Sequence, residues 1–473
     1  MNIILIGVII YIIFQLILGI YISKFIKSED DYLLGGRRLG YLLVIFSIFA
    51  TWFGAESCIG TAGAAYESGL SGVTADPFGY GMVLIIMGLF FAIPLYKMKL
   101  TTIADFFRIR YSTSTEKIIA IIMIPTSILW AAAQIRAFGL ILSATSEIQL
   151  HLAILISATI VIIYTTFGGL LADAWTDLIQ GLILMVGLIV IAILVFFDGI
   201  NIHETIQNIA KEKLVFTSNN DELLSYSTLK TIEAWAIPIC GSLIAQELIQ
   251  RIFSAKSHTV AWRSSIIAGS LYIFLGLIPL SIGLIGLQLI PDLEYPEQIL
   301  PLVAQKYLTP VLYVIFSGAL ISAILSTVDS TLLASSALFS HNVIFNMVNL
   351  KSEKMKLKIS RLNVLIAGII AYLLATYAEG VYELVKDASA FGSAGIFIVF
   401  IFGMYTKLGN GLTANITLLV GSTVWIIAHY FLKSDLSYII ALTSSFLTFV
   451  ITTLSEKFSF SLLPQLRKYI NKN

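Results

Sequence analysis

Apolar runs of membrane-spanning length, separated by short polar stretches, recur along the whole chain. A transmembrane helix needs about 20 such residues, and the backbone of anything crossing lipid must be satisfied internally. Thirteen segments meet the length: roughly 3–23, 40–66, 78–96, 117–145, 151–168, 174–197, 229–250, 263–290, 309–345, 361–377, 387–406, 412–431 and 437–453. The basic residues test this division, because Lys and Arg mark cytoplasmic loops. Of the 29, 22 fall after odd-numbered spans or in the C-terminal tail. Lys211, Lys213, Lys230, Lys306, Lys386 and Lys433 fall on the other side, and Arg136 alone lies within a span. The bias predicts an N-terminus outside and a C-terminus inside, and one missed helix would scramble it.

Composition narrows the class. Over 473 residues the chain is 58% hydrophobic and 12% charged, against about 25% charged in soluble domains. A single transmembrane domain over 1–473 is expected, with no soluble domain appended. A formal charge of +1 gives no reason to expect nucleic acid, and no obligatory protein partner is evident. Cys58 and Cys240 sit in apolar segments, and the five histidines are scattered. With no paired-His zinc motif, phosphate-cradling loop or nucleophile elbow, neither an enzyme nor an organic cofactor is expected. The first apolar run lacks a basic leader and a cleavage site and reads as a retained span. In the polar loop 198–228, Ile202, Ile206 and Ile209 suggest a short surface helix, and 99–111 reads as an interfacial helix with Phe106 and Phe107 towards lipid and Arg108 and Arg110 towards headgroups.

Two spans carry features that lipid-facing helix does not explain. The second contains Ala50-Thr-Trp-Phe-Gly-Ala-Glu56, then Gly60 and Gly63; the seventh contains Pro238, Gly241-Ser242, Gln246 and Glu247. Proline frees a carbonyl, which is tolerated at membrane depth only against protein or a cavity. Paired interruptions in corresponding spans point to a transporter binding site. Gly60 and Gly63 read as packing positions, whereas 50–56, with its acid, reads as a true break. The ninth span adds Ala323-Ile-Leu-Ser-Thr-Val-Asp-Ser330, in which 323, 326 and 327 share one helix face. The two stretches together could supply carbonyl and side-chain oxygens to a dehydrated monovalent cation.

Four stretches also carry a family resemblance: Ala50 to Gly63, Tyr164-Thr-Thr-Phe-Gly-Gly-Leu-Leu-Ala-Asp-Ala-Trp-Thr-Asp-Leu-Ile-Gln180, Gln250-Arg251 and Ser326-Thr-Val-Asp-Ser-Thr-Leu-Leu-Ala-Ser-Ser336. Over about 30–450 the chain resembles the sodium:solute symporters. The resemblance implies an all-α polytopic fold of about 13 transmembrane helices with an inverted five-plus-five repeat, like that of the bacterial leucine transporter. The repeats would be 40–197 and 229–406, followed by C-terminal helices and a short tail over 407–473. It implies a sodium site from the carbonyls of Ala50, Phe53 and Ala323 and the hydroxyls of Ser326 and Thr327, a neutral oxygen set that suits sodium better than calcium. In some relatives a second sodium site uses the positions of Asp177, Ser326, Asp329 and Ser330. Here Asp329 replaces a serine, so Asp177 and Asp329 could hold sodium or share a proton, or Asp177 could cap a helix.

In such a fold the solute would lie beside the broken helices. Candidate lining residues are Trp52, Glu56, Ser57, Trp130, Gln134, Gln246 and Glu247, with Tyr80 weaker. Aromatic faces attract cations, and Glu56 and Glu247 favour an amine. Arg136 could clamp a carboxylate, but a structural pair with a glutamate is the expectation. Ala50-Thr-Trp52, Gly88-Leu-Phe-Phe-Ala92, Trp130-Ala-Ala-Ala133 and Gln250-Arg251 also resemble the choline branch. That branch has further tryptophans where this chain has Ala245 and Val385, so half the cage is missing. The expectation is a sodium-coupled importer of a small polar organic solute (an amine, amino acid or related molecule). Choline-type or monocarboxylate uptake, proton coupling and a sensor module are the alternatives. Abundant Ile, Lys and Asn suggest an AT-rich bacterium, hence the inner membrane.

Overall fold

The computed structural model describes residues 28–146, 148–198, 211–216, 226–293, 295–345, 352–378 and 380–470, with isolated positions 10, 13, 17, 21, 26 and 209. The expected first span, 3–23, lies almost wholly outside the described residues, as do Ile202 and Ile206 of the expected surface helix. Among the described residues the chain is helical, with one isolated bridge between Leu39 and Ala255. Among the described residues eight helices are long and apolar enough to cross a membrane, ten if each of two bent pairs is one span; Tyr41–Trp52 and Leu150–Ile163 are shorter apolar helices.

α1 (Tyr41–Trp52) stops at Phe53, whose backbone leaves helical space (φ −87°, ψ 65°). The chain resumes through a π turn, Glu56–Gly60, into α2 (Thr61–Ser68). α3 (Tyr80–Ile86) runs through another π turn into α4 (Ala92–Met98), followed by α5 (Ile103–Arg110) and α6 (Thr113–Ser146). α7 (Leu150–Asp198) is broken at Gly169, where φ is 63°; a side chain there would also strike the Tyr32 ring at 2.6 Å. α8 (Tyr226–Ser242) and α9 (Gln246–Ser254) meet at 45°. α10 (His258–Leu289), α11 (Ile299–Tyr307), α12 (Pro310–Ala337) and α13 (Glu353–Tyr377) follow. α14 (Val381–Ala390) joins α15 (Ser393–Tyr405) across a 43° bend, and α16 (Gly411–Ile426) and α17 (Ser437–Ile470) complete the chain.

α12 packs against α6 and α7, and α1 lies between α7 and α10, so the broken α1–α2 segment is enclosed by helices. α13 instead turns Leu362, Leu365, Ile366 and Ile369 outward, an apolar face suited to lipid. The seventh span is interrupted within the expected stretch, after Ser242, while Pro238 stays within α8 and packs against Gly79. One sequence expectation is corrected. Phe106 and Phe107 are buried against Phe400 rather than lipid, with ring centroids 5.4 and 6.3 Å from it. Arg110 reaches the carbonyls of Thr406, Leu408 and Gly409.

Candidate ion and solute site

The α1 break faces α12. The Thr327 hydroxyl lies 3.3 Å from the Ala50 carbonyl and 3.1 Å from that of Ala323. One hydroxyl proton serves one acceptor well, so three oxygens converge with lone pairs to spare. That surplus is what a small cation takes up. Phe53 sits on the break, and Ser326 turns its hydroxyl to Asp177 Oδ1. The fold therefore brings Ala50, Ala323 and Thr327 together and commits Ser326 to the neighbouring carboxylate.

That carboxylate belongs to a larger cluster than sequence reading anticipated. Arg251 Nη2 pairs with Asp173 at 2.5 Å and lies 3.6 Å from Asp177. It also donates to Ser330 Oγ at 2.5 Å, while Nε and Nη1 hold the carbonyls of Ser47 and Glu247. Ser47 donates to Asp177 at 2.6 Å, Thr165 donates to Asp329 at 3.1 Å, and Ser330 lies 3.0 Å from Asp173 and 3.3 Å from Thr51. All four charged groups are buried. Asp177 lies in mid-helix, so it caps nothing. Three carboxylates and one guanidinium leave formal charge for one or two further cations or protons.

Trp52, Tyr80 and Trp130 form a mutual aromatic cluster, with ring centroids 5.6–5.8 Å apart. Glu56 accepts from Gln134 Nε2 at 2.6 Å, and Gln134 Oε1 accepts the Ala55 N–H at 2.9 Å. Gln134 thus splints the broken segment. Ser57, expected to face solute, is engaged with Asp76 Oδ2 at 2.8 Å and the Tyr272 hydroxyl at 2.6 Å; Tyr272 also donates to Asp76 at 2.7 Å. Gly54 joins the ion and acid sites: a Cβ there would lie 2.6 Å from Thr327 Oγ1 and 3.0 Å from Glu56 Oε2.

Gln246 and Glu247 open α9. The Gln246 carbonyl oxygen accepts the Ile103 N–H at 2.9 Å, tying the break to α5. Both residues still line a cavity of about 20 Å³ with Trp130, Ser127, Ser242 and Ser389, roughly room for one water. Arg136 pairs with neither Glu56 nor Glu247; it donates to the Ala375 carbonyl at 3.2 Å. On the α5 side, Asn342 donates to Glu116 and Asp105 and accepts from Thr102. Burial raises the Asp105 carboxyl, but His341, the Thr102 N–H and Arg108 hold it below its ordinary range.

Asp76, Tyr272, Asp173 and Ser47 escaped sequence reading as site residues. Asp173 lies inside the quoted 164–180 motif, four residues before Asp177 on the same helix face, and that spacing could have found it. The others join partners more than 100 positions away, which no local pattern encodes.

The chain is 29% identical over 407 residues to the human high affinity choline transporter 1, an alignment covering 80% of this chain and 69% of that protein. It is 27% identical to sodium/proline symporter 2 of Staphylococcus saprophyticus, covering 94% of this chain and 91% of that one. A Na+-coupled sialic acid symporter solved in a substrate-bound outward-open state shares the fold, at a TM-score of 0.84 and 22% identity over 96% of this chain and 97% of that one. The sodium:solute symporter family matches residues 32–452, and the chain belongs to that family.

Proposed function

We propose that the chain imports a small polar organic solute across the plasma membrane, driven by sodium and by alternating access. The observation that carries this reading is the convergence of the Ala50 and Ala323 carbonyls on the Thr327 hydroxyl at the α1 break. Ala50, Phe53, Ala323, Ser326 and Thr327 are the proposed sodium ligands. Sodium bound there bridges α1 to α12 and favours a state that admits solute beside Trp52, Trp130, Tyr80 and Glu56. Gln134 orients Glu56; Gln246, Glu247 and Ser57 respond to solute through the break and the Asp76 network. Solute closes the outer side, and inward opening separates α1 from α12 and releases the ion. Thirteen spans with the N-terminus outside, and repeats over 40–197 and 229–406, are the topology this reading adopts.

The net negative cluster around Arg251 supports a second site at Asp177, Asp329 and Ser330, for sodium or for a proton. Purified protein reconstituted in liposomes should accumulate solute only with an inward sodium gradient. Equal uptake in potassium would remove sodium coupling and leave proton coupling through this cluster. Passive equilibration without accumulation would make the chain a channel, and solute binding without uptake a sensor.

A further inference from the structure

Glu56 and Asp76 are both buried beside the α1 break, where Ser57, next to Glu56, donates to Asp76 and the Thr61 hydroxyl lies 3.1 Å from the Glu56 carbonyl and 3.5 Å from the Asp76 carbonyl; neither acid has an ion pair to Lys, Arg or His among the described residues. Each accepts hydrogen bonds on one carboxyl oxygen. Gln134 donates to one oxygen of Glu56, and Ser57 and Tyr272 donate to one oxygen of Asp76. The other oxygens, Glu56 Oε1 and Asp76 Oδ1, have no partner. Two separate donor sets serve the two acids, so a single shared proton does not answer both. An independent feature points the same way: Trp130 lies one turn before Gln134 on α6, so its aromatic cluster with Trp52 and Tyr80 offers π faces on the side of that helix that holds Glu56.

We propose that Glu56 and Asp76 form a cation site distinct from both sodium sites, whose occupant is the N–H-bearing ammonium group of the transported solute. The inference rests on reading the chain as a sodium-coupled symporter and narrows its substrate class. A protonated amine brings charge and donors together. A quaternary ammonium brings charge alone and leaves both acceptor oxygens unmet, which is costly in a buried site. A carboxylate brings repulsion.

The test is thermal stabilisation of the purified full-length protein, in sodium and in potassium, by four molecules on one skeleton: ethanolamine, its dimethyl derivative, choline, and the uncharged alcohol in which carbon replaces the choline nitrogen. The expected result is binding of the two N–H amines, about tenfold or more tighter than choline, with no binding of the uncharged alcohol. Glu56→Gln and Asp76→Asn should each weaken the amines about tenfold or more, and choline less. Choline binding as tightly as the amines, binding of the uncharged alcohol, or failure of every cation to bind would overturn the proposal. These wild-type comparisons stand even where a variant fails to fold. Amine binding equal in sodium and potassium would overturn the sodium reading instead and leave the amine site intact.

Discussion

Gly54→Ala is the sharpest single perturbation of the ion site. Gly54 is not among the residues with positive φ, so alanine meets no backbone penalty and the effect is purely steric. The new methyl would lie 2.6 Å from Thr327 Oγ1, 2.8 Å from Gln134 Oε1 and 3.0 Å from Glu56 Oε2. None of these atoms retreats freely. Thr327 is held by two carbonyls, and Gln134 is tied at one end to the Ala55 N–H and at the other to Glu56. Overpacking of this kind costs about 1–3 kcal/mol. If that strain falls on the sodium-bound arrangement, sodium affinity drops about 5- to 150-fold, at 1.4 kcal/mol per tenfold. The assay is the sodium concentration that half-maximally raises the melting temperature of purified protein. Gly88→Ala is the control: it is similarly crowded, at 2.7 Å from Ile266 Cγ1 and 2.8 Å from the Trp262 carbonyl, but by residues outside the site. Gly88→Ala should lower stability without moving the sodium midpoint. A folded Gly54→Ala protein with wild-type sodium affinity would refute the view that the α1 break and Thr327 enclose the ion.

Other consequences follow from the same geometry. Thr327→Ala removes the hydroxyl between two carbonyls and should weaken sodium and solute binding together, since coupling is reciprocal; unchanged, sodium-independent solute affinity would sink the assignment, and Thr327→Ser should restore most of it. Arg251→Ala leaves three buried aspartates without their guanidinium and should cost about 3–5 kcal/mol in thermal or denaturant unfolding. Arg251→Lys should recover little of that, because three different guanidinium nitrogens hold four partners or more. Glu233→Ala should cost about 0.5–2 kcal/mol, because its carboxylate receives the Tyr438 and Ile439 N–H groups at 2.7 Å each, capping α17. Wild-type stability in that variant would show that water caps the helix equally well.

What the sequence discloses depends on whether a signal is local. Span length and glycine placement are local, so the helices and the break at Phe53–Ala55 were legible, as was the face shared by Ala323, Ser326 and Thr327. Periodicity is also local, but it does not distinguish lipid from protein as an apolar neighbour. Phe106 and Phe107 therefore read as membrane anchors although Phe400 covers them. A polar residue at a break advertises itself, but not its partner. Gln246 read as solute-lining, and its oxygen is taken by Ile103 N–H, more than 100 positions away in sequence. Asp76 was invisible for the opposite reason: its meaning comes from Tyr272 and Ser57, and nothing around it in sequence is unusual.

The charge balance of the core bears on coupling itself. The Arg251 cluster and the Glu56–Asp76 pair each carry two negative charges more than their side chains neutralise. The proposed sodium site is built from neutral oxygens. Fixed, uncompensated charge is costly at membrane depth, so on this reading each cluster favours arrival of a cation, and the same negative surroundings favour sodium on the neutral oxygens. Every positive charge carried inward down 100 mV contributes about 2.3 kcal/mol, enough for about fifty-fold accumulation. The charge moved per solute therefore distinguishes occupancies that static geometry leaves equivalent. A cationic solute with one sodium moves two charges. A further ion at Asp177 and Asp329 makes it three, and Asp329→Ser should change that ratio by one if Asp329 is what holds the ion. An unchanged ratio would assign the carboxylate to structural pairing within the Arg251 cluster.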